Sequence, residues 1–127
     1  MSASAEYRVS EAAALLGVSD DTVRRWADAG RVTLSGSPAT IPGVELAALA
    51  QELAKEPGSS RASARNRITG IVTKVTKDGV MAQVELQAGP FRIVSLISRE
   101  AADELALEPG VLATASIKAT NVGVELA

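Results

Sequence analysis

The sequence predicts an α+β chain in two parts, a helical first half followed by a strand-rich second half whose five short strands close into a small barrel. Three observations predict it. Apolar residues repeat at helical spacing as far as Leu53, and beyond Ile68 the period falls towards two. Between these regions, Glu56-Pro57-Gly58-Ser59-Ser60-Arg61-Ala62 combines helix breakers with small polar residues. The expected organisation is a domain over 1–56, a linker over 57–62 and a second domain over 63–127.

Taken in order, Ser10 to Val18 reads as a short helix, with Ser10 as N-cap and Gly17 as a stop suited to positive φ. Ser19 caps a second helix, Asp20 to Ala29, ended by Gly30. Within it Val23, Trp26 and Ala27 form the buried stripe, and Arg24, Arg25 and Asp28 point away. Two helices joined by Gly-Val-Ser make a helix-turn-helix pattern. Arg31–Leu34 and Thr40–Ile41 are expected as short strands around a turn at Ser35–Ala39. Pro42-Gly43 opens a third helix with Leu46, Leu49, Ala50 and Leu53 on one face. In the second half the strands fall at Ile68–Val75, Val80–Leu86, Phe91–Ile97, Val111–Thr120 and Val122–Leu126. Asp78-Gly79 is the hairpin signal, and Ser98 caps a short helix, Arg99–Leu105.

Composition narrows the function. Hydrophobic residues make up 46% but aromatics only 2%, so both cores are built from small aliphatic side chains. Two domains of about 60 residues would each be marginal alone, and oligomerisation is expected. The chain has no Cys and no His. Disulfides, thiolate nucleophiles, imidazole bases and common zinc sites are thereby excluded. No nucleophile–base pair or cation site is discernible, so no catalytic residue is assigned and an enzyme is not expected. The polar N-terminus and the lack of an apolar run near ~18 residues point to a cytoplasmic protein with no membrane partner. Residues 1–57 hold five Lys/Arg against eight Asp/Glu, whereas 58–127 hold eight against seven. The half with the helix-turn-helix pattern is the acidic one.

Ser63-Ala64-Arg65-Asn66 and Ile117-Lys118-Ala119-Thr120 bracket the second half with Arg, Lys and small hydroxyls and contain no acid. A tetrahedral dianion needs donors only: a point charge, a guanidinium fork, hydroxyls and backbone N–H groups. These two signatures resemble the molybdopterin-binding-protein (Mop) domain, the molbindin branch of the transport-associated OB-type (TOBE) modules. Gly70, Val72, Val75, Asp78-Gly79, Met81-Ala82, Val84 and Leu96-Ile97-Ser98 extend the resemblance in register. It covers residues 63–126 in a single copy. The resemblance implies an OB-like five-stranded β-barrel that binds molybdate or tungstate, with molybdenum or tungsten present only as the oxyanion, at sites between subunits. Carried over, Ser63 and Arg65 would donate from one subunit, and Ser98, Lys118 and the Ala119 N–H from the other. Ser98-Arg99-Glu100-Ala101 keeps one hydroxyl where the family often has two. Single-copy relatives imply a homo-oligomer, a hexamer built from dimers.

Tyr7-Arg8-Val9-Ser10-Glu11-Ala12-Ala13, Leu16-Gly17-Val18-Ser19, Thr22-Val23-Arg24-Arg25-Trp26 and Ala29-Gly30-Arg31 resemble the MerR/excisionase-type winged helix-turn-helix over residues 6–54. In that family the second helix enters the major groove of double-stranded DNA and a basic wing touches phosphates. Thr22, Arg24 and Arg25 would read DNA, with Tyr7 and Arg31 on phosphates. The wing here, Ser35–Thr40, has no Lys or Arg, and Asp20 and Asp21 stand at the helix end that would approach the polyanion. The expectation is a molybdate-responsive DNA-binding regulator. The alternative is an oxyanion storage protein whose helix-turn-helix serves assembly.

Overall fold

The computed structural model describes residues 5–54 and 64–127. The expected linker and Ser63 lie outside the described residues. The chain folds as two compact units, Met1–Glu56 and Pro57–Ala127.

In the first unit, strand β1 (Glu6–Arg8) leads directly into helix α1 (Val9–Leu16). The helix begins one residue before Ser10, which lies exposed in its first turn. The reason is local: the Arg8 N–H donates to Glu11 Oε1 at 2.9 Å, so a carboxylate takes a free donor and moves the start upstream. Gly17 ends α1 at φ +69°, and the Val18 N–H donates to the Ala13 carbonyl at 3.0 Å. Helix α2 (Asp20–Asp28) starts where the sequence places it, with Ser19 Oγ accepting from the Thr22 N–H at 3.1 Å.

Strand β2 (Thr40–Pro42) pairs antiparallel with β1, Tyr7 opposite Ile41. This corrects the expectation of two strands around the wing turn. Arg31–Leu34 forms no strand, and Ser35 and Thr40 make only an isolated bridge. Burial decides the pairing: Ile41 is fully enclosed, and β1 rather than the polar wing offers it a partly buried partner strand. Helix α3 (Gly43–Leu53) closes the unit over Val9, Ala12, Ala13, Val23, Val32, Ile41, Leu46 and Leu49. Leu53, expected in the core, is 42% exposed as the last residue of its helix.

The second unit is a curled antiparallel sheet of order β5-β4-β3-β6. Its strands are β3 (Asn66–Lys77), β4 (Met81–Ala88), β5 (Phe91–Ser98) and β6 (Leu112–Ile117), with the short helix α4 (Arg99–Glu104) after β5. Strand β3 pairs with β6 through Asn66–Ile71 and with β4 through Ile71–Lys77, and its register shifts between Val72 and Lys74. One long strand shared by two partners and kinked at a bulge curls the sheet. Val72, Val84 and Leu86 form the core on its inner face.

Gly70 lets the backbones approach where β3 changes partner. A Cβ there would lie 2.5 Å from the Gln87 carbonyl oxygen. Gly70→Ala is therefore expected to cost roughly 1–3 kcal/mol of stability. Thermal unfolding followed by far-UV circular dichroism checks this, and an unshifted midpoint would show that the approach is not tight.

The fifth expected strand is not part of the chain's own sheet. After β6 comes a single 3-10 turn, Ala119–Asn121, and Val122–Leu126 pairs with no described strand. Val124 is 95% and Leu126 99% exposed. The sheet thus has two free edges, β5 and β6. Its inner face lines an apolar groove of about 590 Å³ between them, bounded by Ile93, Ile97, Leu107, Ala113 and Ile117. Among the described residues, no helix is long and apolar enough to cross a membrane.

Candidate functional site

The acid-free signatures meet at one end of the sheet. Asn66, the first residue of β3, pairs with Ile117, the last of β6, and its Nδ2 donates to the Ile117 carbonyl at 3.2 Å. Arg65 directly precedes Asn66 and Lys118 directly follows Ile117, so both leave the sheet at this end, and both are exposed. The Asn66 side chain thus ties the start of β3 to the end of β6, next to Arg65 and Lys118 in the chain. Lys118 is extended (φ −62°, ψ 139°) and leads into the 3-10 turn, whose hydrogen bonds run from Asn121 N–H to the Lys118 carbonyl and from Val122 N–H to the Ala119 carbonyl. The first N–H groups of such a turn, including that of Ala119, have no acceptor within it. A guanidinium, an ammonium and a backbone donor with no recorded acceptor among the described residues therefore share one end of the sheet, a set that suits a small oxyanion.

Ser98 is elsewhere. β5 runs antiparallel to β6, so Ser98 and Lys118 end their strands at opposite ends of the sheet. The expected grouping of Ser98 with Lys118 and Ala119 in one subunit is not what the chain builds. Arg65 stands with Lys118 instead, because Asn66–Ile117 is a register pair. Ser98 Oγ accepts from the Ala101 N–H at 3.0 Å as the cap of α4, which leaves its own proton free to donate. Around it lie Arg99, Glu100, Asp103 and Glu104, a mixed and mainly acidic surface.

Two carboxylates near this end are tuned by their partners. The Met81 and Val80 N–H groups, each donating to Asp78 Oδ1 at 2.7 Å, hold the Asp78 carboxyl below its ordinary value, with help from the Arg99 charge. Lys77 holds Asp103 low by a direct hydrogen bond, and Arg99 adds to it. Both folded values lie below the unfolded ones. Their stabilisation is thus present above the ordinary carboxyl range and is lost as pH falls through the lowered values. Stability of the second unit is expected to decline below about pH 4, and Asp78→Asn should flatten that decline. Unfolding midpoints measured from pH 3 to 7 check it; an identical acid slope in the variant would contradict it.

In the first unit, Arg24 and Arg25 are exposed on α2. Thr22 is drawn into the cap: its hydroxyl lies 2.9 Å from Ser19 Oγ and accepts from Arg25 Nη2 at 3.1 Å. Tyr7 packs partly buried against the core. The Arg31 guanidinium sits over the Trp26 ring at 5.8 Å and reaches Glu52 at 3.4 Å, so the cation has two partners within the unit. Sequence reasoning missed Glu45, whose Oε1 accepts from the Thr33 N–H at 3.0 Å and ties the segment before the wing to α3. A lone Glu in a first helical turn carries no signal for that contact.

Comparisons with known proteins fall on the same two units. Residues 62–124 match the TOBE domain and residues 6–54 a helix-turn-helix domain. Molybdenum-pterin-binding protein MopA of Rhodobacter capsulatus is 42% identical over 86 residues, 64% of this chain; the chain spans about a third (32%) of MopA. Molybdenum-pterin-binding protein 1 of Clostridium pasteurianum is 41% identical over 61 residues, 47% of this chain and 90% of that protein. The solved structure of a molybdate binding protein from Sporomusa ovata superposes with a TM-score of 0.51 at 30% identity, covering 53% of this chain and 100% of its own. That likeness extends to the curled OB-like sheet. Through its second unit the chain belongs to the molybdenum-pterin-binding (Mop) family of TOBE-domain proteins, here joined to an N-terminal helix-turn-helix domain.

Proposed function

We propose that the protein binds molybdate or tungstate and, through its first unit, double-stranded DNA, as a cytoplasmic molybdate-responsive transcriptional regulator. The observation that carries the anion reading is the Asn66–Ile117 pairing, which brings Arg65, Lys118 and the Ala119 N–H to one end of the sheet. The named relatives bind molybdenum-pterin or molybdate, which supports this choice of ligand. Ser98, at the opposite end of the sheet, can join the site only from another copy, so the ligand would bridge subunits of a homo-oligomer, with a dimer as unit and a hexamer as the assembly. Ser63, two positions before Arg65 in the sequence, would add a hydroxyl donor. A bridging anion biases DNA binding only through a different affinity for two arrangements of the subunits.

Isothermal titration with molybdate, tungstate and sulfate tests the ligand. Saturable binding of the first two and much weaker binding of sulfate is the expected result; no heat with any of them sinks the reading. A gel shift on the DNA upstream of its own coding region, at low and high salt with and without molybdate, tests the regulator role.

A specific observation favours a second reading, oxyanion storage with a helix-turn-helix used for assembly. Arg31 is occupied by Trp26 and Glu52, Thr22 by its cap, and the wing carries no cation. That leaves Arg24 and Arg25 as the candidate contacts, and few phosphate contacts give weak, salt-sensitive binding. No shifted band at low salt would decide for storage.

A further inference from the structure

We propose that Arg99 is the positioning residue for Ser98: it grips the β3–β4 turn with both its backbone N–H and its guanidinium, and so fixes where the Ser98 hydroxyl donates. The inference rests on the shared-site reading above, in which Ser98 reaches the anion from another copy.

Ser98 is the one hydroxyl that the segment Ser98-Arg99-Glu100-Ala101 offers. Its Oγ accepts from the Ala101 N–H at 3.0 Å, so the cap decides where the hydroxyl proton can point. The donor is therefore only as well placed as helix α4. That helix has six residues, too few to hold together alone, and of these only Ala102 is buried. Contacts from outside the helix must set its start against the sheet.

Those contacts converge on Arg99. Its N–H donates to the Val80 carbonyl at 2.9 Å, and its Nη1 to the Asp78 carbonyl at 3.0 Å. Both acceptors lie in the turn between β3 and β4, and that turn is itself tied. Asp78 Oδ1 accepts from the Val80 and Met81 N–H groups at 2.7 Å, and the Asp78 N–H donates to the Met81 carbonyl at 2.9 Å. Met81 is in turn the register partner of Ser98. The Nε edge of the guanidinium lies 3.7 Å from Asp103 Oδ2, one turn along α4, and Lys77 at the end of β3 bonds the same carboxylate. Turn, strand end and helix are thus joined through one side chain.

The fork is what allows this. A guanidinium presents donors along separate edges and can bridge a carbonyl and a carboxylate, whereas an ammonium is a point donor. The Arg99–Asp103 pair is about half exposed, and such pairs add little to stability. Its effect is on orientation. Arg99 also offsets the charge of Asp103 beside Ser98, so geometry and charge have to be separated by experiment.

Isothermal titration of molybdate into full-length Ser98→Ala, Arg99→Met and the double variant does so. Each single change is expected to weaken binding by roughly 10-fold. The double variant should bind within about twofold of Ser98→Ala, because a residue acting through Ser98 then has nothing to act on. Losses that multiply, or an Arg99→Met chain that binds like the parent, would overturn the proposal. Arg99→Lys keeps the charge without the fork and should lie closer to Arg99→Met than to the parent; the reverse would assign the effect to charge. A second measurement needs no ligand. Amide exchange at Ala101, whose N–H the Ser98 cap protects, should speed up by roughly fivefold or more in Arg99→Met while the β4 amides keep their rates. An unchanged Ala101 rate would overturn the proposal whatever the titrations show. Faster exchange in a protein whose parent form takes up no molybdate would refute the anion reading and leave Arg99 as the residue that holds Ser98.

Discussion

Lys118→Ala is expected to weaken molybdate binding by roughly 10- to 100-fold, the equivalent of one lost charge-assisted hydrogen bond of about 1.5–3 kcal/mol. Lys118 follows the last residue of β6 and Arg65 precedes the first of β3 at the same end of the sheet, and both residues are exposed. With no dianion bound, two like charges at one end of the sheet repel. Removing one relieves that repulsion in the unliganded fold, so the thermal midpoint without ligand should hold or rise. Arg65→Ala should weaken binding comparably, and the two losses should not add, since both residues act on one ligand. Arg67→Ala serves as a control for general charge, because Arg67 pairs with Ser116 within the strands rather than at the corner. Isothermal titration of the three variants reads the result. If Lys118→Ala binds as tightly as the parent, the anion lies elsewhere.

Ile41→Ala should unfold the first unit while leaving the second intact. Ile41 is 0% exposed, sits at the centre of β2 and joins the buried cluster of Val9, Val23, Val32 and Leu46. Deleting a large aliphatic side chain from such a site costs about 2–5 kcal/mol, through lost transfer energy and the cavity left behind. A unit of some 50 residues has little more than that in total, so the midpoint should fall by roughly 10 °C or more. The single tryptophan, Trp26, packs against this same cluster. Its emission should therefore shift to the red and report this unit alone. Molybdate affinity is the internal control, because Arg65 and Lys118 belong to the other compact unit. A native emission spectrum and an unshifted midpoint would show that the core relaxes around the cavity.

Much of this architecture was legible because it rests on local chemistry. Ser19 capping α2, Gly17 and Gly30 at positive φ and Ser98 capping α4 depend on residues within three or four positions of each other. The Asp78-Gly79 hairpin is equally local, since Asp78 bonds the N–H groups two and three residues ahead. Where the reading departed from the structure, a competing contact won. Glu11 drew the start of α1 back from Ser10, and the burial of Ile41 gave β2 to Glu6–Arg8 instead of to the wing.

The candidate site divides the same way. The choice of donors, Arg65, Lys118 and a backbone N–H with no acid among them, is a matter of residue type and was fixed by composition within two short signatures. Their grouping was not. That Arg65 and Lys118 share one end of the sheet while Ser98 lies at the far end follows from strand register and direction, which depend on how residues fifty positions apart pair. The same holds for Val122–Leu126: alternation marks it as a strand, but only the folded sheet shows that its own chain leaves it unpaired beside an open groove. Chemistry and local conformation travel with the residues themselves. Which surfaces meet is settled by long-range packing, and no short stretch of the chain contains it.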